Sequence, residues 1–294
     1  MFILAKVTFL MYFYTCKIFY QSIKFFTMAI QKGHIKYVGT LGDVRHFKMK
    51  GLPEYYAGLK GGPSAEQVQT DPAFERTREN MNEFAACAKA GKSVRTALSS
   101  LLNTMSDSQL TGRLTAIMKK INLEDQTEAR GYRAILITQQ QQYLKNVQFD
   151  ASVNFDGIFS APYTVAHNAN RNEGTLTVPV FNPANLLIAP AGSTHFRLIQ
   201  AVAVISDFAY NSNTGTYEPI DATNNEASIV AYSPYLPLDS ATTAQTLTAA
   251  LAGAPTLGTD VSVIQCIGIE FAQKVGPNYY TFSSGNALKI AEIF

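Results

Sequence analysis

The side chains able to do chemistry are scattered, and their spacing sets the first limits. The four histidines are His34, His46, His167 and His195. No two stand at the helical spacing of a zinc pair, and none is joined to Cys or Glu in a ligand motif. His195 opens a β-like run and His167 lies in an Asn-rich stretch, so surface or capping roles are the plain reading of both. No Gly-x-Ser-x-Gly elbow occurs. Gly61-Gly62-Pro63 reads as a turn, because no Gly-Lys-Ser/Thr follows it to make a phosphate loop. Carboxylates pair only as Glu124-Asp125 and along Glu75, Glu79 and Glu83. Glycosidase-like work needs two carboxyls at a set separation across a cleft, and a solvated helix face accounts more simply for the second group. The expectation is a protein that is not an enzyme and uses no cofactor and no metal.

One dense polar constellation stands out, Arg76-Thr77-Arg78-Glu79-Asn80. On a helix Arg76, Asn80 and Glu83 share a side, and Glu75 reaches Arg78 and Glu79. The bland reading is a salt-bridged outer face. The sharper one is an interaction surface made of Arg76, Arg78, Glu79, Asn80 and Glu83, with Arg as the interface anchor. It would dock on the Gly-rich segment before it or on a neighbouring subunit. A second set is aromatic: Tyr232, Tyr235, Tyr279 and Tyr280 could bind a glycan or a peptide. Tyr at strand ends more often belongs to a core or an edge, and the absence of Trp weakens a sugar platform.

These residues need elements to hold them. From Gly33 to Gly62 seven glycines punctuate β-like pieces at Ile35–Val38, Val44–Met49 and Glu54–Leu59, which suits small hairpins. Such a ribbon is too small to bury a core alone, so it must pack on something or pair with another chain. Asp71 and Pro72 can open a helix, with Phe74, Met81, Phe84 and Ala88 as its apolar face and Gly91 at its end. A second helix is expected from Ser93 to about Thr104, and a third from a capping box at Ser106. Residues 132–146 suit helix and strand equally. Strands follow at Phe149, Ser152–Phe155, Thr175–Phe181, His195–Phe208, Ala227–Tyr232, Val261–Phe271, Tyr279–Phe282 and Leu288–Ile293, while Ala241–Leu251 is compatible with a crossover helix. The pattern predicts an α+β protein: a Gly-rich β ribbon and small helical subdomain over residues 28–146, then an antiparallel β-sandwich over 147–294.

Residues 1–27 differ from the rest: aromatic, aliphatic and Lys-rich, with no Gly, Pro or acid. Lys6, Lys17 and Lys24 leave Val7–Cys16 as the longest uncharged run, too short to span a bilayer. Three readings stay open: an upstream non-coding stretch read in frame, with Met28 the true start; a signal or anchor; or an amphipathic surface helix. The first implies a cytoplasmic or particle-associated protein, the second an exported one. Those three lysines are among the 24 basic residues, so the body from Met28 carries 21 against 22 acids, a net charge of −1 instead of +2. A near-neutral body has no general electrostatic drive toward nucleic acid or anionic lipid. Cys87 and Cys266 sit in small and apolar surroundings and read as buried residues, with no sequence support for a disulfide between them.

Two motifs carry a resemblance. Thr70-Asp71-Pro72-Ala73-Phe74-Glu75-Arg76-Thr77-Arg78-Glu79-Asn80, behind a Gly-rich hairpin region, and the stretch Gly268–Tyr280 resemble a group of uncharacterised bacterial proteins. The resemblance implies no activity, but it implies a start near Met28. Together these observations lead to a non-enzymatic structural or assembly protein, of a bacterial surface or phage-like particle, whose partners are other protein subunits. The alternative is a glycan- or peptide-binding β-sandwich module.

Overall fold

A computed structural model describes residues 28–59 and 61–294. Residues 1–27, including Cys16 and the expectations made for that stretch, lie outside the described residues. The chain divides into two compact units, one ending at Asp71 and the other running from Pro72 to Phe294.

The first unit is a ribbon of four short antiparallel strands, β1 (Met28–Ile30), β2 (Gly39–Leu41), β3 (Val44–Lys48) and β4 (Tyr55–Leu59), in the order β1-β4-β3-β2. Gly42 and Asp43 make the two-residue turn between β2 and β3. Gly42 sits at φ +58°, the first turn position at which a type II′ hairpin turn wants glycine. The strand expected at Ile35–Val38 does not form. There the Gln31 side chain donates to the carbonyls of Tyr37 and Tyr56, taking a role a neighbouring strand would fill. A short helix, α1 (Ala65–Thr70), follows. Ser64 and Gln67 close a reciprocal capping box at its start.

The second unit is layered, and its core explains where the sequence reading failed. Helices α2 (Glu75–Ala97), α3 (Ser99–Met105) and α4 (Leu110–Glu124) cover one face of a large antiparallel sheet. That sheet is built on β7 (His195–Ser206) and β13 (Val261–Val275), flanked by β10 (Ser228–Tyr232), β14 (Asn278–Thr281) and β15 (Ala287–Ile293). Along β7 the alternation sorts the layers. Ile199, Ala201, Ala203 and Ile205 join Leu98, Leu114, Met118 and Ile121 under the helices. Phe196, Leu198, Val202 and Val204 face the other way. They pack against a three-stranded sheet of β5 (Thr164–His167), β6 (Glu173–Val178) and β12 (Gln245–Ala250). β8 (Phe208–Asn211) and β9 (Thr216–Pro219) form a separate hairpin around the Asn-rich turn, and β11 (Leu236–Pro237) pairs with the start of β7. The protein is α+β with antiparallel sheets.

Several expectations are corrected. α2 runs unbroken past Gly91. A Cβ on Gly91 would lie 3.4 Å from Leu114 Cβ and from the Thr115 nitrogen, so the glycine admits α4 rather than ending α2. The third helix starts at Leu110 instead of Ser106, where Asp107 accepts the Gln109 N–H. No strand forms at Ser152–Phe155: the Ser152 N–H closes an Asx turn on Asp150, and the chain enters α5 (Phe155–Ile158), capped by Asn154. Ala241–Leu251 holds strand β12, whose residues alternate buried and exposed and pair with β6. The division expected at 146/147 cuts through one packed body: Asn146 and Phe149 donate to Ile290 and Leu288 of β15, and Val147 accepts from Ile290. Residues 132–146 settle into two 3₁₀ turns. Cys87 and Cys266 are both free and buried in the helix-side core. Burial pushes the Cys87 thiol up to about 12 and the Cys266 thiol higher still. No described helix is long and apolar enough to cross a membrane.

Candidate functional site

The ribbon is the least buried part of the molecule. Gly58 is its only buried residue among those described between Met28 and Asp71. Register explains what it shows on each face. Leu41 pairs with Val44 and Val44 with Leu59, so the three form one row across β2, β3 and β4. Leu41 and Leu59 are 69% and 66% exposed. The opposite face carries Met28, Ile30, Phe47 and Tyr56, with Phe47 and Tyr56 stacked at 6.0 Å and Arg45 over Phe47. Lys36 and Lys48 lie over Tyr55, and Tyr37 leans on His46. These contacts are local pairs around a sheet without a core.

The polar constellation on α2 is held by its own molecule. Arg76 pairs with Glu79 at 2.9 Å, Arg130 approaches Glu79 at 3.4 Å, and Arg130 donates to Asn80 at 3.1 Å. Glu83 does not belong to an exposed surface: it is 1% exposed. It accepts from Lys119 and from the Gly131 N–H, with Arg133 at 4.0 Å. Burial pushes its carboxyl upward, but Lys119, the Gly131 N–H and Arg133 outweigh that and hold it below the usual carboxylate range. Around it Asn82, Asn122, Asp125 and Tyr217 bond the backbone of residues 131–134, fixing that loop. Arg78 and Glu79 line a groove of about 400 Å³ with Tyr132 and Tyr210. The apolar face expected for α2 is reversed. Met81 and Phe84 are 58% and 60% exposed, while Glu83, Ala86, Cys87, Ala90 and Val94 face the core.

Three of the four tyrosines come together at the far end of the large sheet. Arg197 stands over Tyr232 at 4.2 Å and over Tyr235 at 5.0 Å, and pairs with Glu270 on the adjacent strand. Tyr235 stacks on Tyr279 at 4.3 Å and 11°, and Lys274 lies over Tyr279. The result is a column, Tyr232–Arg197–Tyr235–Tyr279–Lys274, in which ring faces are largely spent on one another. Tyr280 is not part of it. It alternates to the opposite face, paired with Gln273. His195 meets the edge of Tyr279 at 5.1 Å; burial and Lys274 lower its pKa. His167 stacks on Phe294 instead. Arg197 and Glu270 were missed in the sequence, although an Arg and a Glu inside otherwise apolar strand runs require partners.

Among the described residues no group of three or more His, Cys, Asp or Glu could hold a metal ion. No family model matches the chain, and no curated protein matches it in sequence.

Proposed function

We propose that the protein is a structural or assembly component, not an enzyme, and that its Gly-rich ribbon is covered by protein, either further copies or another chain. The observation carrying this reading is a four-stranded sheet with apolar residues on both faces and one buried residue, a glycine. A small sheet gains independent stability by packing an apolar face on something, and contiguous exposed apolar surface marks interaction sites. A layered antiparallel β-sandwich rich in Thr, Ser and Asn suits a bacterial surface or phage-like particle. Sedimentation velocity of the full chain over a wide concentration range tests the reading. The expected result is a species larger than the monomer, with the β3 and β4 amides slowed in hydrogen exchange as it forms. A strict monomer at the highest concentration, with fast ribbon exchange and no binding partner in a pull-down, would overturn it.

One observation favours a second reading, a glycan- or peptide-binding module: Tyr232, Tyr235 and Tyr279 share one exposed end of the sheet with Arg197. Because the ring faces are mostly occupied within the column, a peptide contacting edges and hydroxyls suits it better than a sugar lying flat. Titration with peptide and glycan libraries, read against Tyr232→Ala, separates the two ligands.

A further inference from the structure

Resting on the assembly reading, we propose that the partner is a second copy of this chain, joined antiparallel from β2 to β2 with a two-fold axis at Thr40. β1 and β2 are the edges of the ribbon sheet among the described residues. An edge strand is normally protected by shortness, and β2 has only three residues, or by Lys, Pro or an inward charge in and beside it; the second kind of protection is what is missing here. From Tyr37 to Leu41 the sequence Tyr-Val-Gly-Thr-Leu has no Lys, no Pro and no charge, and β2 is exposed at every residue.

The strand also fits itself. Antiparallel pairing centred on Thr40 sets Thr40 against its own copy, a favourable cross-strand pair. It sets the exposed Leu41 against Gly39, where no atom lies within 4 Å of a built Cβ. Bulk on one copy meets space on the other, twice by symmetry. An axis normal to the sheet keeps like faces on the same side, so the row Leu59–Val44–Leu41 continues into Gly39, His46 and Ala57 of the second copy. Two four-stranded ribbons become one eight-stranded sheet.

The test uses the full chain with Thr40→Lys and Thr40→Glu. Thr40 is exposed, so both variants keep their fold, which circular dichroism and melting temperature verify. A residue on the axis meets itself, so either charge repels its copy. Each variant alone is expected to lose self-association by tenfold or more, and an equimolar mixture to recover it. Thr40→Cys should oxidise to a disulfide-linked dimer, since directly opposed residues lie about 4.5–5.5 Å apart, within the bridging range. Assembly unchanged in both charge variants, as pairing through β1 would give, overturns the inference and leaves the assembly reading standing. A mixture no better than either variant also overturns it. A wild-type chain that never self-associates removes the inference. Only a wild type that also shows fast ribbon exchange and no binding partner in a pull-down removes the assembly reading with it.

Discussion

The ribbon and the body from Pro72 onward are built from similar apolar side chains and use them in opposite ways. In the body, the alternation along β7 sends every second residue to one of two covering layers, and α2 and α4 approach closely enough to need a glycine between them. In the ribbon the same alternation produces two faces, and among the described residues of that unit no second layer covers them. Amphipathic order in a strand therefore becomes stability only where a second element supplies the other half of the core.

The comparison breaks most sharply at Glu83. Replacing it with Ala strips Lys119 of its carboxylate partner, leaving it Asn122, and the Gly131 N–H of its acceptor; it should destabilise the body by about 3–5 kcal/mol, measured by chemical denaturation. Glu83→Gln adds the pH dependence. The folded pKa of Glu83 lies below its unfolded value, so its stabilisation is present above the ordinary carboxylate range and is lost as pH falls through the folded pKa. The stability gap between wild type and Glu83→Gln should therefore close on acidification; a gap independent of pH would remove the charge from the explanation.

Next comes one substitution made in both regions. Leu114 is fully buried and Leu41 is 69% exposed. Leu114→Ala should cost about 2–5 kcal/mol, and Leu41→Ala under dilute, monomeric conditions no more than about 0.5 kcal/mol. Equal costs would mean that the ribbon has a core after all. Between these, Gly174→Ala places a Cβ 2.8 Å from Val202 Cγ2, between the two sheets. It should cost about 1–3 kcal/mol by overpacking, seen as a lower melting temperature. A smaller effect than either core change is expected of Tyr279→Ala, which removes one exposed stacking partner from the Arg197 column. About 0.5–1.5 kcal/mol is expected, and Tyr280→Ala on the opposite face should change stability less.

Several elements were legible because their signals are local. The glycine-marked turn ahead of Val44, the long runs of β7 and β13, and the Asn211–Gly215 turn depend on backbone preference and period-two patterning within a few residues. The Ser64–Gln67 capping box is equally local. The strand β12 was masked by Ala and Leu, whose helical preference competes with the alternation that pairing to β6 selects. The candidate site was half legible. Glycine spacing marks a ribbon unable to bury itself, and Tyr232, Tyr235 and Tyr279 stand out by type, but their meeting around Arg197 depends on strand register between distant segments.

The sequence by itself determined the α+β composition, the hairpins, the small buried cysteines and a ribbon too thin for a core. All of these follow from side-chain size and φ preference, which each residue carries with it. Only the tertiary structure decided which face of α2 is buried, that Gly91 is a packing site instead of a helix end, and that Glu83 lies inside and not on a docking surface. A helical period announces that faces exist but not which one finds a partner. Lys119, the Gly131 N–H and Leu114 had to arrive from 23 or more residues away before a carboxylate could be buried and Phe84 left outside.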